Sequence, residues 1–119
     1  MMSYEMWLDL ILDAARNIAS PKFQKEAWLR KGKFVSSPDE VYQVLMEDCT
    51  FDLFFQIYGN RFTEAQMHSS KQLRSTLQAY YNGMSRHPDP VQVLNDPQWE
   101  LVRQSAVRFV REFGGLRTS

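Results

Sequence analysis

The 119-residue chain is predicted to be all-α, and three observations predict it. No stretch shows the sustained period-two alternation of a strand between turn signals. Apolar residues recur instead at spacings of three and four. And at Ser20-Pro21, Ser37-Pro38 and Asp96-Pro97 a helix-capping side chain stands directly before a proline, where proline at the first helical position sacrifices no bonded donor. The expectation is one compact domain over residues 1–119, built of five to seven helices, some short, with a frayed tail at 116–119.

From Tyr4 to Ala19, Trp7, Ile11, Ala14 and Ile18 share one helical face. Met6, Leu8, Leu10, Leu12 and Ala15 widen it on both sides, so the helix should be wedged between others. Ser20-Pro21 opens a shorter helix to about Leu29 that buries Phe23, Ala27 and Trp28. Arg30-Lys31-Gly32-Lys33 ends it, with Gly32 as the stop and cations at the negative end of the helix dipole.

Ser37-Pro38-Asp39-Glu40 repeats the start signal with a capping box, Glu40 reaching back to the Ser37 amide. Val41, Val44 and Leu45 supply the inner face, and the chain changes direction at Asp48 or Thr50. Phe51 to Tyr58 is apolar almost all round, with Asp52 and Gln56 as its polar edge and Gly59-Asn60 as its stop. Thr63 caps the longest helix, about Glu64 to Ser85, whose buried stripe is Leu73, Leu77, Tyr80, Tyr81 and Met84. His87-Pro88-Asp89-Pro90 forces a bend, Val91 to Leu94 adds a turn of helix, and Asp96-Pro97 starts the last one. Trp99, Val102, Ala106, Phe109, Val110 and Phe113 make its stripe, and eighteen residues to Gly114 would form a rod of about 27 Å. The three tryptophans read as core aromatics whose indole N–H finds a backbone partner.

Composition narrows the function classes. Fourteen Lys and Arg balance fourteen Asp and Glu, so no global field draws the chain to nucleic acid. One cysteine, Cys49, cannot form an internal disulfide, Glu5 and Asp9 interrupt what would otherwise resemble a signal peptide, and no uncharged run of eighteen apolar residues exists. The expectation is a cytoplasmic protein without membrane contact.

Motifs for chemistry are missing. Cys49 with His68 or His87 lacks the third group that orients a base, and three scattered Cys and His residues fall short of a four-ligand metal site. Asp48 and Asp52 lie four apart, yet the chain has no Glu-x-x-His pair of the kind carboxylate-bridged di-metal bundles use. Arg30-Lys31-Gly32-Lys33 with Trp28 and Phe34 is too short a cluster for a nucleic-acid site and reads as a solvated helix end. The expectation is no enzyme, no cofactor and no metal.

What stands out is a local charge split. Asp39, Glu40, Glu47, Asp48 and Asp52 fall in one segment with no basic residue among them. That makes it the candidate partner surface, with Asp39, Glu47, Asp48 and Asp52 as an acidic edge and Tyr42 as an amphipathic anchor beside Val41.

Three stretches together resemble a family: Phe23 to Leu29 (Phe-Gln-Lys-Glu-Ala-Trp-Leu) followed by a glycine, the acidic helix opening Ser37-Pro38-Asp39-Glu40-Val41, and Leu94-Asn95-Asp96-Pro97-Gln98-Trp99 leading into an aliphatic helix. The pattern is similar to the small all-helical immunity proteins of bacterial contact-dependent growth inhibition and related polymorphic toxin systems. The resemblance implies a stoichiometric inhibitor, monomeric when free, that binds the C-terminal toxin domain of a delivered effector, often a nuclease, and covers its active site or an essential surface. Immunity proteins against nucleases are often strongly acidic. Here the net charge is zero, so the Asp39 to Asp52 segment would have to act locally. The competing expectation is a non-catalytic subunit or homo-oligomeric scaffold in which the first helix and the Phe51 to Tyr58 helix meet copies of themselves.

Overall fold

A computed structural model describes residues 3–29, 36–83 and 89–114. Of these, 85% are helical and none is in a strand. The order is α1 (Tyr4–Ala19), α2 (Pro21–Trp28), α3 (Pro38–Gln43), a π-helical turn (Val44–Asp48), α4 (Phe51–Tyr58), a 3-10 turn (Gly59–Arg61), α5 (Glu64–Asn82), α6 (Pro90–Leu94) and α7 (Pro97–Glu112). The Cα radius of gyration is 14.0 Å. Arg30 to Lys33, Phe34, Met84, Ser85, His87-Pro88 and the tail 116–119 lie outside the described residues.

Helix starts follow the caps. The hydroxyls of Ser3, Ser20, Ser37 and Thr63 each accept an N–H three residues on, and the carboxylates of Asp89 and Asp96 accept from Val91 and Gln98. Thr63 makes the full reciprocal box, its own N–H donating to Gln66 Oε1 at 2.9 Å. Ser37 makes only half: no bond returns from the Glu40 side chain among the described residues. Glu40 is exposed, and water offers its carboxylate an equal partner.

The last helix is the axis of the packing. Helix α7 lies against both α5 and α1, and Trp99, Val102, Ala106, Phe109 and Val110 are buried along it. Small residues let these helices approach closely: Ala14 and Ala15 on α1, Ser69 and Ser70 on α5, and Ser105 and Ala106 on α7 are all buried. The three serines remain satisfied by donating back to carbonyls of their own helices at 2.7 to 3.0 Å. Around this frame stands an aromatic cluster in which Phe51, Phe54 and Phe109 are buried, each ring contributing about 1.5 to 3 kcal/mol by leaving water.

Several expectations need correction. Helix α7 has 16 residues rather than eighteen, because Phe113 already turns out of helical geometry. On α1 the apolar face is narrower than expected, leaving Met6 and Leu10 exposed. On α4, Leu53 and Ile57 are likewise exposed. The tryptophans divide three ways. Trp7 donates to the Cys49 carbonyl at 2.6 Å as expected, but Trp99 donates to the side chain of Gln24 at 3.0 Å, and the buried Trp28 N–H has no partner among the described residues.

The change of direction between α3 and α4 uses two devices. The Cys49 N–H bonds to the Val44 carbonyl, one residue beyond the α-helical partner, which widens the turn. Thr50 then adopts left-handed backbone angles, φ 46° and ψ 57°, the only non-glycine residue with positive φ among those described. A β-branched side chain is disfavoured there, and the elbow is held because Phe51 and Phe54 beyond it are anchored in the core.

Candidate functional site

The five residues proposed as a partner surface lie on this bend, but they do not face one way. Asp52, in the first turn of α4, points to α5 and pairs with Arg74 at 2.6 Å. The pair raises the Arg74 pKa, chiefly through the hydrogen bond and then through the carboxylate charge. Tyr42 also turns toward α5. Its hydroxyl donates to Gln78 Oε1 at 3.2 Å, and its ring lies 4.5 Å from that of Tyr81. It is half-buried, so the expected exposed anchor is instead part of the α3–α5 junction. Tyr81 donates to the Pro38 carbonyl, and burial first, then the Asp39 charge, push its hydroxyl above the usual tyrosine range. Asp39 therefore belongs to this side as well.

Asp48 makes no such contact with α5 among the described residues. With Asp13 of α1 it flanks Cys49, whose thiol is pushed up by burial first and then by these two carboxylates. The thiol lies 3.7 Å from the Leu10 carbonyl. A buried thiol with a raised pKa is a poor nucleophile, which matches its reading as an ordinary core cysteine. Asp13 pairs with Arg16 at 2.6 Å. Glu47 and Asp48 are exposed and have no ion pair among the described residues. Asp48 and Asp52 also fail to share a helix face, since the left-handed Thr50 stands between them.

A concavity of about 460 Å³ lies between the end of α5, α6 and the start of α7, lined by Thr76, Tyr80, Asp89, Val93, Asp96 and Leu101 among others. The polar groups of Tyr80, Asp89 and Asp96 in it are committed to the fold. The Tyr80 hydroxyl donates to Asp96 Oδ2 at 3.0 Å while Oδ1 of the same carboxylate caps α7. Burial first and Asp96 second raise the Tyr80 pKa. Asp89 caps α6. Among the described residues no group of three or more His, Cys, Asp and Glu stands close enough to hold a metal ion, and no helix is long and apolar enough to cross a membrane.

Reading the residues in order missed Asp13, which joins Asp48 only because α1 packs on the π-helical turn. Nothing local to Asp13 signals this. It also missed Arg74, 22 positions from Asp52, as the group that occupies that carboxylate.

No protein-family profile matches the chain. Comparison with curated proteins and with solved structures likewise finds no match.

Proposed function

We propose that this chain is an immunity protein, a non-catalytic inhibitor that neutralises a cognate toxin domain in the cytoplasm by stoichiometric occlusion of its active site or an essential surface. The observation that carries this reading is the pair of exposed carboxylates Glu47 and Asp48, without an ion pair among the described residues, on a helical bend whose flanks are buried. Fixed negative charge on an ordered backbone attracts a basic partner over several ångströms and loses little conformational freedom on contact. The resemblance in the Phe23, Ser37 and Leu94 stretches supplies the class of partner.

The roles of the five residues then differ. Glu47 and Asp48 steer, with Asp39 adding to the field. Asp52 contributes less because Arg74 already screens it. Tyr42 holds the bend against α5 rather than the partner.

Association kinetics with the C-terminal domain of a large secreted protein encoded beside this chain test the proposal. Glu47→Lys with Asp48→Lys should slow association by about tenfold at low salt and by less at physiological salt. Asp52→Lys should slow it less. An unchanged rate constant removes the acidic bend from the interface, and failure of the two proteins to form a complex overturns the immunity reading itself.

A further inference from the structure

Helices α1 and α4 lie side by side and antiparallel. Going up α1, Tyr4 meets Tyr58 at 5.0 Å, Trp7 meets Phe54 at 5.2 Å, and the Leu10 carbonyl meets the Cys49 thiol at 3.7 Å. The partners thus run down the chain as α1 runs up it. Both helices rest on α7: α1 packs along it, and Phe51 and Phe55 of α4 touch Phe109, with Phe55 also against Phe113. At 100° per residue, Met6 and Leu10 are rotated from Trp7 in the sense opposite to the buried Ile11 and Ala15. Leu53 and Ile57 are rotated from Phe54 in the sense opposite to Phe51 and Phe55. Because the helices are antiparallel and share α7 beneath them, both pairs emerge on the same outer side.

The result is an apolar ledge in which Met6, Leu10, Leu53 and Ile57 are 60%, 45%, 46% and 52% exposed. Its two ends carry opposite charge. At the Cys49 end stands Asp48, without an ion pair among the described residues; Asp13 beside it is already paired with Arg16 at 2.6 Å, so Asp48 carries the charge of that end. At the other end is Arg61, exposed, its guanidinium 4.9 Å from the Tyr4 ring and 5.1 Å from the Tyr58 ring, with no carboxylate partner among the described residues.

We infer that this ledge is the contact between two copies of the chain, related by a two-fold axis that runs across the helices. Both halves of the charge complementarity are in the one sequence. An axis across the helices sets the acidic end of each copy against Arg61 of the other and α1 against α1. An axis along the helices would set acidic end on acidic end, which like-charge repulsion opposes. A closed two-fold contact of this kind covers the same residues on both copies. Four apolar side chains from each copy make a small interface, so the dissociation constant belongs at roughly 1 to 100 µM. This goes beyond the immunity reading and does not depend on it; it draws on Asp48, which that reading also uses, and it sets a dimer against the monomer expected from the sequence.

Sedimentation equilibrium of the whole chain, from about 1 µM to 1 mM, decides the matter. A monomer–dimer equilibrium is expected. Leu53→Glu or Leu10→Glu should raise the dissociation constant at least about tenfold by burying a charge, with an unchanged melting temperature because both sites are exposed in the single copy. Asp48→Arg and Arg61→Asp should each weaken the dimer, and an equimolar mixture of the two variants should associate more tightly than either alone. A chain that stays monomeric throughout overturns the proposal, as does a dimer indifferent to Leu53→Glu. A mixture no tighter than its parts overturns the two-fold arrangement.

Discussion

Gln24 and Trp99 are joined across 75 positions of sequence by a buried hydrogen bond, the indole N–H donating to Gln24 Oε1 at 3.0 Å. The same Gln24 side chain, with no exposed surface, donates through Nε2 to the carbonyls of Asn17 and Ile18 at 3.0 and 2.7 Å. One amide therefore closes the C-terminal end of α1 and ties it to the first turn of α7. It leaves no polar atom of its own without a partner.

Gln24→Leu should cost about 2 to 4 kcal/mol in urea denaturation, since it orphans a buried indole N–H and a buried carbonyl while keeping the apolar volume. The neighbouring tryptophans provide the control. Trp99→Phe and Trp28→Phe remove the same atoms, but the Trp28 N–H has no partner to lose among the described residues. Trp99→Phe should therefore be the more destabilising by about 1 to 2 kcal/mol. Equal costs would mean that the Gln24 bond contributes little net.

Stability should fall on the alkaline side. Tyr80 and Tyr81 have folded pKa values raised above the ordinary tyrosine value, mainly by burial, with Asp96 and Asp39 respectively as the next cause. A raised folded pKa means that the unfolded chain loses its phenolic protons first. The stabilisation is complete below the unfolded tyrosine pKa of about 10 and drains away as the pH rises through and beyond it. Urea midpoints between about pH 8 and 11 should decline over the upper part of that range. In Tyr81→Phe the decline should be shallower, and an equally steep decline in that variant would rule out Tyr81 as its source.

Thr50→Gly should stabilise the protein. A left-handed conformation costs an L-residue roughly 1 to 2 kcal/mol, against about 0.5 to 1 kcal/mol for the extra freedom that glycine loses on folding. A rise in the denaturation free energy of up to about 1 kcal/mol is expected. A fall would show that the 2.8 Å contact of the Thr50 hydroxyl with the Cys49 carbonyl outweighs the backbone term.

The frame was legible because its starts are local. Ser20-Pro21, Ser37-Pro38, Thr63 and Asp96-Pro97 each announce a helix within four residues, and the stripe from Trp99 to Val110 needs only its own spacing. The bend was not legible in the same way. Threonine carries no signal for positive φ, and nothing in Val44 to Asp48 distinguishes a π-helical turn from a continued α-helix. Gln24 looks like a surface residue until α7 is laid over it. On α1 apolar residues cover so much of the circumference that the sequence could not say which flank would stay bare, and Met6 with Leu10 is decided by where α4 and α7 settle. The acidic segment was found, but its partition was not, because Arg74 and Asp13 reach it from other helices.

The wide turn from Val44 to Asp48 separates what holds the molecule together from what it displays. Leu45 points inward and is wholly covered, whereas Glu47 and Asp48 carry no internal bond among the described residues. Exchanging the charge at those two positions should thus leave the melting temperature where it was. Such changes rewrite the rim and leave the elbow as it is.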